Sequence, residues 1–159
     1  MSKNYFIMNK IIYSLFIALF LFGSCETNDR SETENTSLTK NENVVGIDFF
    51  EGTWAEALAK AKKENKLIFL DISASWCGPC KQLKRTTFKD VSVGNFYNEQ
   101  FINVELDGEK GEGIRLAQQY KLRGYPSLYF INSDGLVVKE TAGFLPAAQF
   151  IEYGQSVVQ

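Results

Sequence analysis

KLIFLDISASWCGPCKQLKRTTF, residues 66–88, is the stretch on which the fold turns. Leu67 to Leu70 are apolar without a break, and Ile72 continues the run past Asp71. Such density fits a central strand covered on both faces. Six residues beyond the acid comes Cys77, and Cys77 and Cys80 enclose only Gly78 and Pro79. A Cys-x-x-Cys where a buried strand meets a helix is the sequence form of a redox dithiol. Residues three apart in a first helical turn share a face, which brings two sulfurs within bonding reach. The unpaired N–H groups of that turn favour a thiolate at the leading cysteine. Structural zinc would need four ligands, and the chain has no histidine and just one other cysteine, Cys25. A purely structural bridge closing so small a loop would contribute little stability. No metal and no cofactor is expected beyond the redox-active Cys77–Cys80 pair.

The 159 residues suffice for one folded domain. Residues 1–24 have the character of a targeting segment: Lys3 and Lys10 give a basic start, and Ile11 to Phe22 is apolar apart from Ser14. Its length suits a signal-peptide core better than a permanent membrane span. Leu21-Phe22-Gly23-Ser24-Cys25 resembles a bacterial lipoprotein processing site, which implies lipid on Cys25 and leaves Cys77 and Cys80 as an exclusive pair. Residues 26–42, ETNDRSETENTSLTKNE, hold one strongly apolar side chain and predict a flexible tether, so 25–43 joins the anchor to a domain over 44–159. The net charge of −2, lower still without Lys3 and Lys10, argues against nucleic-acid binding and against a basic surface for anionic lipid.

Within the domain, Val44 to Phe50 is expected as a short edge strand. Thr53-Trp54-Ala55-Glu56 has capping-box spacing and opens a helix over 55–63 with Trp54, Ala57, Leu58 and Ala61 inward. The helix from Cys77 turns Cys80, Leu83 and Phe88 inward and Lys81, Lys84 and Arg85 to water. Asp90 to Gln100 predicts a broken helical excursion anchored by Val91, Val93, Phe96 and Tyr97. A strand over 101–106, a flexible loop over 107–113 and a helix over 114–120 carrying Ile114, Leu116, Ala117 and Tyr120 follow. A strand over 128–131, a turn at Asn132–Gly135 and an antiparallel return at 136–138 come next. Pro146 is placed at the first position of a closing helix. The order β-α-β-α-β-α-β-β-α predicts an α/β three-layer sandwich with a central mixed sheet and flanking helices.

Trp76-Cys77-Gly78-Pro79-Cys80-Lys81, with Asp71 before it and Tyr125-Pro126 after it, resembles the active-site constellation of the thioredoxin-like family. The similarity runs from about Val44 to Val158. Within the family the chain looks closest to DsbD-type C-terminal reductase domains and to lipid-anchored or secreted bacterial thioredoxin-like proteins. The resemblance implies that Cys77 is the exposed attacking thiolate and Cys80 the buried resolving thiol. It further implies that Asp71 is a buried proton acceptor for Cys80, and that Pro126 is a cis proline opposite the dithiol. Tyr125 then offers its backbone to an extended substrate segment. Gly78 leaves room for partner backbone, Pro79 restrains the active-site helix, and Trp76 shields one side of the dithiol and offers a docking surface. Where thioredoxin has a lysine near the buried acid, this chain offers Asn103 or Glu105.

The expected activity is thiol–disulfide exchange outside the cytoplasm, in the periplasm or cell envelope, reducing disulfide-containing proteins. Electrons would come from a DsbD-type membrane donor, and the domain is expected to be monomeric. An isomerase or oxidase, or a non-enzymatic binding module, is the alternative.

Overall fold

The computed structural model describes residues 46–158. The expectations placed on the targeting segment 1–24, on Cys25, on the tether up to residue 43 and on Val44 and Val45 lie outside these residues.

The apolar run of the deciding stretch becomes strand β1, Leu67–Ser73. It lies between β2, Phe101–Asp107, parallel to it, and β3, Ser127–Ile131, antiparallel. Strand β4, Val137–Ala142, pairs with the far side of β3 and completes a mixed sheet of order β2-β1-β3-β4. The turn before β4 is closed by the Asn132 side chain, whose Oδ1 accepts from Asp134 N and Leu136 N, and by Gly135 at φ +80°.

Alternation along β1 sorts its side chains. Ile68, Leu70 and Ile72 join Trp54, Ala57, Ala61, Val104, Leu116 and Tyr129 on the face covered by helices α1, Trp54–Glu64, and α4, Gly111–Gln119. Phe69 points the other way, into an aromatic cluster with Phe88, Tyr97, Phe101, Phe130 and Phe150. That face is covered by α2, Gly78–Arg85, α3, Val91–Gln100, and α5, Ala147–Gln155. The Phe69 ring meets Tyr97 and Phe150 edge-on at 5.1 and 5.3 Å, while Tyr97 stacks on Phe150 at 4.3 Å. The buried Tyr97 hydroxyl is satisfied by donating to the Phe150 carbonyl at 2.7 Å. Helices on both faces of a mixed sheet are the three-layer α/β sandwich the sequence predicts.

Several local expectations are corrected. Residues 46–50 form no strand. Ile47 N donates to Phe88 O, Asp48 N to Asn98 Oδ1 and Phe50 N to Asn103 O, so three separate partners replace a ladder. The excursion over 90–100 is an unbroken helix. Its Gly94 is there for close approach, because a Cβ would lie 2.2 Å from the Gly46 carbonyl oxygen. Val91 and Ile114 are exposed rather than inward. Helix α4 starts at Gly111, since a side chain at Gly113 would meet Asp107 O at 1.9 Å and glycine lets the helix fold straight back on β2. Pro146 is the N-cap of α5, one residue before the expected position. The capping box at Thr53 and Glu56 is formed as predicted. Among the described residues no helix is long and apolar enough to cross a membrane.

Candidate active site

Strand β1 ends at Ser73, and four residues later Cys77 caps helix α2. The cap is made by sulfur: Cys77 Sγ accepts a hydrogen bond from Cys80 N at 3.1 Å. Pro79 occupies the first turn, where its missing N–H costs nothing. Cys77 and Cys80 are joined by a disulfide with Cα atoms 5.3 Å apart. The Cys80 N–H of the helix terminus thus faces the leading sulfur, the electrostatic setting that stabilises a thiolate once the bridge opens.

Cys80 is buried, as expected, but Cys77 is not exposed. It retains 2% of its accessible surface. The reason is packing: Ala74, Cys77 and Cys80 form a small cluster of their own, and the Tyr125 ring lies against it. Tyr125 also meets the Trp76 ring edge-on at 5.8 Å. Trp76 is itself 66% exposed, and its indole N–H points between the two carboxylate oxygens of Glu109, 3.1 Å from each. Gly78 is open, with nothing among the described residues within 4 Å of the position a side chain would occupy. The Tyr125–Pro126 peptide bond is cis, and the loop carrying it is tied by Ser127 Oγ donating to Gly124 O.

Asp71 follows from the alternation that places Phe69, being two residues on along the same face of β1. It is 1% exposed, and neither carboxylate oxygen has a hydrogen-bond partner among the described residues. Its neighbour in register on β2 is Glu105, and on β3 the apolar Leu128. Lys84 of α2 pairs with Glu105 at 2.7 Å. Burial, reinforced by the like charge of Glu105 and opposed by the Lys84 ammonium, pushes the Asp71 carboxyl up to about 8. An acid in that range is matched to proton transfer near neutral pH.

The choice left open between Asn103 and Glu105 is settled by register. Glu105 stands beside Asp71, whereas the Asn103 amide is engaged with Asp48 O and Asn98 Oδ1. The lysine of the resemblance is replaced by an acid whose counter-ion comes from the active-site helix. The sequence pattern sends Lys84 to water and makes the segment containing Glu109 a flexible loop. Neither position belongs to a periodic pattern that would reveal its partner.

The family described as the thioredoxin-like domain matches residues 54–157. The thiol:disulfide interchange protein DsbD of Vibrio vulnificus is 29% identical over 136 residues, which are 83% of this chain and 22% of that protein. The chain spans about a fifth of the length of the curated relatives it matches. A solved structure of a Bacteroides thetaiotaomicron protein, described as a candidate disulphide-isomerase, is 40% identical with a TM-score of 0.64, over 73% of this chain and 98% of its own. The oxidised C-terminal domain of Neisseria meningitidis DsbD is 29% identical with a TM-score of 0.57, over 69% of this chain and 98% of its own.

Proposed function

The chain belongs to the thioredoxin-like family of disulfide oxidoreductases, and from that premise we propose that it is a protein-disulfide reductase of the cell envelope. The observation that carries the reading is the Cys77–Cys80 pair at the first turn of α2, on the sheet face that also holds the buried, unpartnered Asp71. With the pair reduced, the Cys77 thiolate attacks one sulfur of a partner disulfide and the other partner sulfur leaves as a thiolate. Cys80 then loses its proton to Asp71 and attacks Cys77 Sγ. The partner leaves with both sulfurs reduced, and the Cys77–Cys80 bridge takes up the oxidising equivalents. The neighbouring thiol acts at high effective concentration, which keeps the mixed disulfide short-lived. Tyr125 and Pro126 hold the partner segment, with Trp76, Gly78 and Pro79 forming the rim around it.

The leading segment, Cys25 and residues 26–43 would deliver and tether a monomeric domain to a bacterial membrane. There a dithiol donor of the DsbD type regenerates it.

Equilibration of the purified protein with glutathione or dithiothreitol tests the direction. A potential near thioredoxin's, about −270 mV, supports reduction, and one near about −120 mV reverses the assignment. Insulin reduction should vanish in Cys77→Ser; turnover that survives it removes the mechanism.

The similarity to a candidate disulphide-isomerase favours isomerisation as the second reading. An isomerase can shuffle bridges with its attacking cysteine alone. Cys80→Ser that still reactivates scrambled ribonuclease, while failing on insulin, would establish it.

A further inference from the structure

We propose that Tyr125 is a specificity gate over the oxidised dithiol, closing it to small thiols and opening it to an extended polypeptide donor. The inference rests on the thiol–disulfide reading above and adds the class of reductant that the site accepts.

In the bridged state an incoming thiolate must reach a sulfur in line with the S–S bond, yet Cys77 and Cys80 are 2% and 1% exposed. Among the described residues the rim around them is not crowded: the would-be side-chain positions at Gly78 and Gly124 have no heavy atom of these residues within 4 Å. The obstruction is local. Tyr125 is the part-exposed apolar side chain packed on the Ala74–Cys77–Cys80 cluster. Three features hold its ring in place. Beneath it is Gly108, where a Cβ would come within 2.7 Å of Tyr125 Cε1 and 2.8 Å of its hydroxyl, so only glycine admits the ring. Beside it is the edge of Trp76. Trp76 in turn is fixed by the Glu109 carboxylate, and Glu109 N donates to Asp107 Oδ1 at 3.0 Å.

The same residue carries the means of opening. Among the described residues neither the N–H nor the carbonyl of Tyr125 makes a hydrogen bond within the protein. A polypeptide laid along this loop gains those two bonds and rim contacts, which offset the loss of the ring's packing. A free thiol gains neither and meets the closed form.

The donor thiolate attacks Cys77 Sγ, the Cys77–Cys80 bond breaks, and Cys80 leaves as a thiolate that takes up a proton. A second donor thiol then attacks the mixed disulfide, so that the donor is oxidised by two electrons and Cys77 is released. With glutathione as probe, two molecules supply the electrons and leave as glutathione disulfide.

The full chain, purified in detergent and oxidised, is mixed in stopped flow with glutathione or with a ten-residue peptide bearing a Cys-Gly-Pro-Cys dithiol. Tryptophan fluorescence follows the reduction. Tyr125→Ala should speed the glutathione reaction about three- to tenfold, the scale set by one aromatic contact, without a matching gain for the peptide. Tyr125→Phe, which restores the ring, should restore the peptide-to-glutathione ratio. Glu109→Ala removes both acceptors of the Trp76 indole without touching the Tyr125 ring and should shift the ratio in the same direction as the Tyr125→Ala variant. An unchanged ratio in folded Tyr125→Ala, or in Glu109→Ala should the first not fold, overturns the gate while leaving the exchange chemistry intact. A wild-type bridge that neither probe opens would remove the exchange reading and the gate together.

Discussion

Replacing Asp71 by asparagine should make the oxidised protein more stable at neutral pH, with a gain that disappears on acidification. In the folded state burial, with Glu105 adding to it and Lys84 opposing it, raises the carboxyl from an ordinary 3.8 to about 8. Between those two values the folded protein holds a proton that the unfolded chain has released. Stability therefore falls as pH rises, being fully present below the unfolded value and lost by the time pH has passed the folded one. At about 1.4 kcal/mol per unit, the loss accumulated by pH 7 is about 4 kcal/mol. An asparagine side chain cannot ionise, so in the variant that slope vanishes. Glu105 and Lys84, the charged groups facing the site from β2 and α2, are present in both proteins and drop out of the difference. Keeping the Cys77–Cys80 bridge closed removes thiol titration from the comparison. Urea unfolding of wild type and Asp71→Asn from pH 4 to pH 8 measures the effect, and the two curves should diverge by about 4 kcal/mol between pH 4 and pH 7. Parallel curves would refute the reasoning. A wild-type curve that instead gained stability over the variant with rising pH would place Asp71 in an ion pair with Lys84.

Two further outcomes follow from the same face of the sheet. Glu105→Gln removes the like charge beside Asp71 and leaves the Lys84 ammonium unpartnered, so the midpoint of the pH–rate profile for insulin reduction should move down by about one unit; an unmoved midpoint would separate Glu105 from the chemistry. Phe69→Ala should lower the unfolding free energy by about 3–5 kcal/mol in urea titrations, because the ring is fully buried among Tyr97, Phe88, Phe130 and Phe150. A loss under about 1 kcal/mol would mean that the cluster closes over the gap.

What can be read from the chain alone is what depends on neighbours in sequence. The i,i+3 spacing of Cys77 and Cys80, the capping box at Thr53 and the alternation of β1 are local, and all three are found in the structure. Residues 46–50 escape such a reading because their apolar pattern suits a strand while their hydrogen bonds go to Phe88, Asn98 and Asn103, partners that spacing does not reveal. The burial of Cys77 is equally hidden, since it depends on a tyrosine from the loop before β3 resting on a glycine from the loop after β2. Lys84 illustrates the limit most clearly. Helical periodicity sends it outward, which is where it goes, yet its length lets it reach back to Glu105.

The placement of Asp71 also bears on why it is there. Alternation along β1 puts Phe69 and Asp71 on one face, so the aromatic core and the acid lie side by side under α2. The penalty for the acid at neutral pH, about 4 kcal/mol, is as large as the contribution of one buried phenylalanine. Among the described residues nothing in the packing requires a carboxylate here, for both its oxygens are unpartnered there and its β3 neighbour is leucine. A structural residue that harmed stability to this degree would be replaceable without consequence for turnover. A proton acceptor for Cys80 would not be, and the two cases separate in Asp71→Asn: stability should rise while the rate of insulin reduction falls by about 10- to 100-fold at pH 7. A rise in stability with undiminished turnover would leave Asp71 without a part in the reaction.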